Sequence, residues 1–316
     1  MDKGIRRIIT GTATKRRILD LGAAIGSSLG ICLRLVRVYV RGLSSGLLFG
    51  LRRESGYDRC VSSFRRVSPG EEFPVSATLF VTYLKCPQQA LGRLQGVYPP
   101  PTVQMFRGSL AHRVFARHLV DGLIDPEDFT DVCRQEVGAH LGGSMASLSL
   151  KPSEFRAITA EVEQLYERFK ALPTDGFMDA EVDVQSEPAQ GISLRGRVDA
   201  VYLDGDDTRI VDWKTGSYLD DAEPQLAFYA MAWKLAKGSL PATLEAVSLK
   251  TGERRVTRPT DADTALTETL VADMITALRV AIADRSDMPR TAGPHCRWCP
   301  LLGECGEGTA ALEILD

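Results

Sequence analysis

The sequence predicts an α/β or α+β core with a central sheet covered by helices. Three observations predict it: helical periodicity up to residue 172, strand-like alternation over residues 178–214, and helical periodicity again from residue 223. Helices, a compact group of strands and then further helices are typical of one layered domain and not of a repeat protein. The composition, 44% hydrophobic and 25% charged over 316 residues, provides ample material for a core.

The first 70 residues differ in charge from the rest of the chain. They contain fourteen Lys or Arg against four Asp or Glu, a net charge of +10, whereas the remainder carries −13. The apolar stretch "LGAAIGSSLGICL" is too short to cross a bilayer as one helix, and no secretory cleavage site follows it. We therefore expect residues 1–70 to be a flexible basic extension and residues 71–316 to form the domain. A nucleic-acid-binding or membrane-surface arm and an organellar transit segment are the alternatives.

Three helices are predicted before the strands. The first covers "SATLFVTYLKC", in which Ser76 is a suitable N-cap and Pro87 ends the helix, so that Cys86 lies at its C-terminus. After a proline-rich loop, "RGSLAHRVFARHLVDGL" forms the second helix, with Leu110 and Val114 in its apolar stripe. The third spans residues 152–172, and its apolar residues recur at helical spacing: Phe155, Ile158, Val162, Leu165 and Phe169.

The strands are predicted from alternation and from turn residues. The segments "MDAEVDVQS", "ISLRGRVDAVYL" and "TRIVDWKTG" alternate apolar and polar residues, and "DGDD" joins the last two as a hairpin turn. Helical pattern returns in "EPQLAFYAMAWKLAKG", with Pro224 in its first turn and Gly238 at its end, and in residues 261–285.

The predicted strands bring together three side chains that can bind a metal and an anion. Asp212 and Lys214 project to the same face because side chains on a strand alternate, and Trp213 projects to the opposite face and into the core. The hairpin places Asp199 beside Asp212, and two adjacent carboxylates favour a hard cation, Mg²⁺ or Mn²⁺, between them. Lys214 can stabilise negative charge that develops on a reacting phosphate.

Four segments, in this order, resemble the RecB-like branch of the PD-(D/E)xK nuclease superfamily. "RGSLAHRVF" is similar to its G-x-x-x-H helix and carries His112, and "GRVDAVYL" supplies Asp199. "VDWKTG" is similar to its D-x-K-T-G strand. "QLAFYAMAW" is similar to its Q-x-x-x-Y helix, in which Gln225 and Tyr229 share one helix face. The resemblance covers residues 75–305.

The resemblance implies a fold, an activity and a set of site residues. The fold is an α/β restriction-endonuclease-like core with a mixed sheet between helices. The implied ligands of Mg²⁺ or Mn²⁺ are His112, Glu181, Asp199 and Asp212. The implied catalytic residues are His112, Asp199, Asp212, Lys214, Gln225 and Tyr229.

The cysteines indicate a second metal site. Cys296, Cys299 and Cys305 form a C-x₂-C-x₅-C run, and Cys86 completes a set of four because "SATLFVTYLKCP" resembles the entry segment of iron–sulfur members of the branch. Thiolates suit a 4Fe–4S cluster or Zn²⁺, and the spacing does not choose between them, whereas the resemblance favours iron–sulfur. Such a site would join the N- and C-terminal segments of the domain. Disulfide bonds are the alternative, and the other three cysteines are predicted to be ordinary thiols.

These observations together predict a Mg²⁺- or Mn²⁺-dependent deoxyribonuclease, an exonuclease on single-stranded DNA ends in repair, recombination or CRISPR adaptation. The intact Asp199, Asp212 and Lys214 favour an enzyme over a catalytically silent DNA-binding or scaffold subunit; a structure-specific endonuclease is the other alternative. The sequence contains no G-x-x-x-x-G-K-S/T phosphate loop, so a helicase partner would be a separate polypeptide. With no secretory signal or membrane span predicted, we expect a cytoplasmic protein.

Overall fold

The computed structural model describes residues 63–68 and 70–315 of the chain. The strands are β1 (Phe73–Ser76), β2 (Phe177–Ala189), β3 (Ile192–Asp204), β4 (Asp207–Lys214), β5 (Thr243–Ser248) and β6 (Arg254–Thr257). The helices are α1 (Ala77–Lys85), α2 (Pro87–Leu94), α3 (Val103–Asp121), α4 (Phe129–Glu136), α5 (Gly142–Ser147), α6 (Pro152–Phe169), α7 (Ala222–Lys237), α8 (Asp261–Asp284) and α9 (Gly306–Leu315).

The six strands form one mixed sheet in the order β1-β3-β4-β5-β6, with β2 paired to the other edge of β3. The long strand β3 is antiparallel to β2 and β4 and parallel to β1. Its first residues pair with both β1 and β2, and its last residues pair with both β2 and β4. Strands β1 and β4 therefore lie one after the other along the same edge of β3.

Two apolar clusters cover the two faces of the sheet. Helices α1, α2, α7 and α8 bury one face, and α3, α4 and α6 bury the other. In the second cluster, Trp213 of β4 is 2% exposed and packs edge-on against Phe169 at 4.9 Å between ring centroids, while Phe169 stacks on Phe115 at 4.3 Å. The prediction that Trp213 belongs to the core is confirmed. The predicted α/β architecture, a mixed sheet flanked by helices, is also confirmed.

Local sequence signals set the ends of α1. The hydroxyl of Ser76 accepts a hydrogen bond from the backbone N–H of Leu79 at 3.2 Å, as an N-cap does. Cys86 is the C-cap residue of α1, and Pro87 is the first residue of α2. Proline lacks a backbone N–H, but an N–H at the first helical position would have no partner within the helix. The predicted place of Cys86 at a helix end is confirmed. Its thiol therefore lies at the junction of the two helices.

Several short elements differ from the sequence predictions. The helix around His112 begins at Val103, four residues before the predicted start. Strands β1, β5 and β6 and helices α2, α4, α5 and α9 were not predicted. All of them except α9 have four to eight residues, which is too short for a periodic pattern to stand out.

The extension predicted over residues 1–70 lies mostly outside the described residues. Within them, Ser63–Arg66 form a 3₁₀ turn beside α8, and Phe64 and Val67 are buried in the first apolar cluster. The packed core therefore includes residues that precede the predicted boundary at 71. None of the helices in residues 63–68 and 70–315 has the length and hydropathy needed to cross a membrane.

Candidate active site

The candidate site lies where β3 and β4 separate. Along one edge of β3, the pairing with β1 ends at Arg195. The pairing with β4 begins at Ala200, which lies opposite Val211. In the interval, a side chain replaces a main-chain acceptor: Oδ2 of Asp199 accepts the backbone N–H of Trp213 at 2.7 Å. The second oxygen of Asp199 is thereby free to face the neighbouring helices.

Asp199, His112 and Glu181 form a group of potential metal ligands. Nδ1 of His112, from α3, lies 3.0 Å from Oδ1 of Asp199. One ligand atom from each of these three residues lies within 4.8 Å of the others. Glu181 adopts φ = 53° within β2, a left-handed conformation that is costly for a residue with a Cβ. Backbone strain of this kind is commonly retained at functional sites. Here the strained residue, Glu181, places its carboxylate near His112 and Asp199.

Two arginines partly neutralise the carboxylate of Glu181. Its Oε2 lies 3.3 Å from a terminal nitrogen of Arg113 and 3.6 Å from one of Arg197. Sequence reasoning did not identify either arginine as part of the site. Arg197 lies two residues before Asp199 on β3, so strand alternation could have placed it near the carboxylates. No comparable signal marks Arg113.

A second network joins β4 to α7. Nζ of Lys214 lies 2.6 Å from Oδ2 of Asp212 and donates to Oε1 of Gln225 at 2.6 Å. The amide nitrogen of Gln225 lies 3.0 Å from Oδ1 of Asp212 and 2.9 Å from the hydroxyl of Tyr229. Gln225 therefore contacts all three of the other residues. The predicted alternation on β4 and the shared face on α7 are what bring these four side chains together.

Close packing between α7 and β3 holds Tyr229 in this network. A Cβ at Gly196 would lie 3.3 Å from the Tyr229 ring, so only glycine lets the ring approach this closely without adjustment. On the other side of the sheet, a Cβ at Gly108 of α3 would lie 3.2 Å from the hydroxyl of Thr215. The two glycines allow both helix layers to reach the ends of the strands that carry the carboxylates.

Burial and charge shift the pKa of the central groups. Burial raises the pKa of Asp212 to about 6, against the lowering effect of Lys214 and with a further increase from Asp199. Burial lowers the pKa of His112, but the charge and hydrogen bond of Asp199, with Asp212 and Glu181, outweigh it and the net shift is upward. Burial, followed by the charge of Asp212, raises the pKa of Tyr229 and keeps its phenol neutral. The site therefore favours cations and disfavours further anionic groups.

The structure divides the predicted site residues into two neighbouring sets. One contains His112, Glu181 and Asp199, and the other contains Asp212, Lys214, Gln225 and Tyr229. They are joined through Asp199, which binds the backbone of β4 between Asp212 and Lys214. No predicted residue of the nuclease site lies elsewhere in the fold.

The cysteines predicted as a set are neighbours. Burial raises the pKa of Cys299, and the thiols of Cys86, Cys296 and Cys305 raise it further. A hydrogen bond donated by the backbone of Leu301 opposes this. Cys133 lies apart, in the second apolar cluster, where burial raises its pKa to about 12. The described cysteines are free thiols, and the remaining two, Cys32 and Cys60, lie outside the described residues.

Comparison with known proteins assigns the family. The model of the PD-(D/E)XK nuclease superfamily matches residues 74–306 of the chain. The chain belongs to this superfamily. The match includes all of the candidate site residues and the four neighbouring cysteines, so this nuclease domain and the C-terminal cysteine segment fall within one family unit.

Two solved structures are similar to the nuclease over most of its length. The protein SSO0001 is 14% identical with a TM-score of 0.36, and the comparison covers 76% of this chain and 88% of that one. A protein of Eubacterium rectale named as a candidate exonuclease is 13% identical with a TM-score of 0.45, covering 77% and 90%. No curated protein matches the chain. The family assignment comes from the sequence match and not from these distant structures.

Proposed function

We propose that the protein is a metal-dependent deoxyribonuclease of the RecB-like branch that removes nucleotides from single-stranded DNA ends. The observation that carries the proposal is the network of Asp212, Lys214 and Gln225 beside the group formed by His112, Glu181 and Asp199. A positioned ammonium group next to converging carboxylates is suited to phosphodiester hydrolysis. The domain proposed for this activity covers residues 71–316 together with the buried residues just before them.

The donor set fits one divalent cation. Glu181 and Asp199 supply hard carboxylate oxygens of the kind that Mg²⁺ and Mn²⁺ prefer, and His112 supplies a nitrogen. Oδ2 of Asp212 is buried and receives no hydrogen bond of suitable geometry, although Lys214 lies 2.6 Å from it. An unsatisfied buried carboxylate oxygen is costly, and a cation would satisfy it. When bound, the cation would polarise the phosphate and lower the pKa of water.

Residues of β4 and α7 position the ammonium group of Lys214, the proposed hydrogen-bond donor of the site. Asp212 and the side-chain oxygen of Gln225 both lie 2.6 Å from Nζ of Lys214, so the ammonium group is held in one direction. The phenol of Tyr229 lies 2.9 Å from the amide nitrogen of Gln225 and thus positions Gln225. We propose that Lys214 donates hydrogen bonds to the charge that develops on the scissile phosphate.

His112 balances the charge of the site. Its raised pKa favours the protonated, positively charged imidazole beside Asp199. An imidazole ligand must be neutral, so a cation held by His112 would take the place of this proton. Metal affinity is therefore expected to fall as the pH is lowered.

We further propose that Cys86, Cys296, Cys299 and Cys305 hold a 4Fe–4S cluster. Backbone N–H groups of Gly293 and Gly308 donate to the sulfurs of Cys296 and Cys305 at 3.4 and 3.3 Å, contacts that are typical of metal-bound thiolates. Thiolates also suit Zn²⁺, and the spacing of the four cysteines in the sequence does not choose between the two. The resemblance to iron–sulfur members of the branch is what favours the cluster.

The activity is tested with anaerobically purified protein and end-labelled DNA in Mn²⁺ or Mg²⁺. We expect shortening of linear single strands from an end and no cleavage of circular single strands. The matched variants are Asp212→Asn, which should be inactive, and Asp207→Asn, which changes an exposed carboxylate on the same strand and should be active. Cleavage of circular single strands would show that the protein is an endonuclease and not an exonuclease. Equal rates for Asp212→Asn and the wild type would refute the assignment of the site.

A further inference from the structure

A groove of about 680 Å³ includes side chains of the candidate active site and of the cysteine-rich tail. Lys214 and Gln225 line it, and so do His295 and Trp298. Tyr218, from the loop after β4, lines it as well. The groove is thus continuous with the side chain proposed to contact the scissile phosphate.

Two aromatic side chains of this groove are unusually exposed. Tyr218 is 82% exposed and Trp298 is 68% exposed, whereas the other two tryptophans of the chain, Trp213 and Trp233, are 2% and 8% exposed. They come from separate segments, the loop after β4 and the cysteine-rich tail, and they line the same groove. Large aromatic rings left open to water beside a reactive centre are characteristic of a surface that stacks on a flat ligand.

We propose that Tyr218 and Trp298 stack on unpaired bases of a DNA strand whose phosphate lies at Lys214, an inference that rests on the proposed function. Stacking on aromatic rings holds single strands without regard to sequence because every base has a π-face. A duplex cannot bind in this way, since its base faces are covered by neighbouring base pairs. The two rings therefore select single-stranded ends over blunt duplex ends.

Away from Lys214, the charged residues of the groove favour bases over phosphates as its occupants. Asp220 and Asp221 line it, and Nζ of Lys85 is engaged by Oδ2 of Asp221 at 2.5 Å. The carboxylates repel phosphates, whereas the faces of bases carry no charge. Bases on the rings and phosphates turned away from the acidic residues satisfy both conditions.

Cationic side chains line a second groove next to the active site. Arg107, Arg168 and Lys250, together with Glu161, line this groove of about 250 Å³, which includes Thr215, the residue after Lys214. Arg168 also donates to the carbonyl oxygens of Leu249 and Lys250, so its guanidinium group is held in place. The strand would cross the site with its bases on the aromatic side and its phosphates on the cationic side. Salt should then weaken contacts of the second groove more than those of the first.

The exposure of a single tryptophan gives a direct test of stacking. In EDTA, where no cleavage occurs, a deoxythymidine oligonucleotide of about 12 nucleotides should quench the intrinsic fluorescence of the protein, because a stacked base quenches indole. Trp298→Phe should remove the quenching while it keeps most of the affinity measured by anisotropy of the labelled oligonucleotide. Quenching that persists in Trp298→Phe would come from the two buried tryptophans and would overturn the assignment.

Affinity measurements with four variants test the contribution of each ring. Trp298→Ala and Tyr218→Ala should each weaken binding of the single strand about tenfold, with little change for blunt duplex, and the two Phe variants should stay close to the wild type. The KM for single strands should rise with kcat nearly unchanged. Equal metal content in all variants excludes damage to the adjacent cysteines, and Tyr218 lies outside that segment. Wild-type affinity in both Ala variants would overturn the proposal.

The same binding assay separates this inference from the proposed activity because it requires no turnover. Stacking without any cleavage in Mn²⁺ or Mg²⁺ would refute the nuclease assignment and retain the groove. Cleavage by the wild type, together with wild-type affinity in Tyr218→Ala and Trp298→Ala, would retain the nuclease assignment and refute the proposed stacking. A uridine ribonucleotide oligomer of the same length serves as the second probe, and tighter binding of that RNA would overturn DNA as the ligand.

Discussion

Replacement of Asp212 by Asn should change how the stability of the domain depends on pH. Burial, partly offset by Lys214, raises the pKa of Asp212 from its ordinary value of 3.8 to about 6. Because the folded pKa lies above the unfolded one, the native state binds this proton more tightly. Its contribution to stability is therefore greatest at low pH and is lost as the pH rises through 6. Between about pH 5 and pH 8 the wild type should lose about 1.4 kcal/mol through this group.

The Asp212→Asn variant carries an amide that cannot titrate, so it lacks this loss. Its free energy of unfolding, relative to that of the wild type, should consequently be about 1.4 kcal/mol higher at about pH 8 than at pH 5. Removal of Asp212 also removes one cause of the raised pKa of His112, and this adds a change in the same direction. Urea unfolding in EDTA at the two pH values measures the difference, with Asp207→Asn as the control. A difference that is the same at both pH values would show that Asp212 is not the buried, poorly satisfied carboxylate described above.

Three further predictions concern the metal sites and the backbone. His112→Ala should lower the cleavage rate at least about tenfold and raise the Mn²⁺ concentration needed, and a metal titration identical to the wild type would assign His112 a structural role. Cys86→Ser should yield a colourless, less soluble protein with little iron, whereas Cys133→Ser should keep about four irons per chain; stoichiometric zinc in the wild type would replace the cluster by a zinc site. Gly191→Ala should lower the free energy of unfolding, measured in urea, by about 1–3 kcal/mol. The reason is that φ of Gly191 is +72° and the added Cβ would lie 2.2 Å from the carbonyl oxygen of Gly70.

The parts of the site that follow a regular period were predictable from the sequence. The period of two on β4 placed Asp212 and Lys214 on one face, and the spacing of four on α7 did the same for Gln225 and Tyr229. A turn signal supplied the partner strand with Asp199. Each of these inferences required only local geometry.

The remaining parts depend on long-range packing, which no local pattern records. Glu181 has a left-handed backbone within β2, and its carboxylate contacts Arg113 and Arg197 from separate elements. Strand β1 has four residues, and its partner on β3 lies more than a hundred residues later in the sequence. The burial of Phe64 ahead of the predicted domain boundary likewise depends on α8, about two hundred residues away.

The substitution of a side chain for main-chain pairing at Asp199 affects how its mutants must be interpreted. Asp199→Ala would leave the buried N–H of Trp213 without an acceptor, a loss of about 1–3 kcal/mol that loosens β4 regardless of any metal. An inactive Asp199→Ala protein would therefore combine damage to the scaffold with damage to the chemistry. Asp199→Asn retains an oxygen for that N–H and removes only the negative charge. Asp199 is both a hydrogen-bond acceptor for the neighbouring strand and a proposed metal ligand. A nuclease site built on such a residue cannot lose its activity through single substitutions that remove this acceptor without also losing stability.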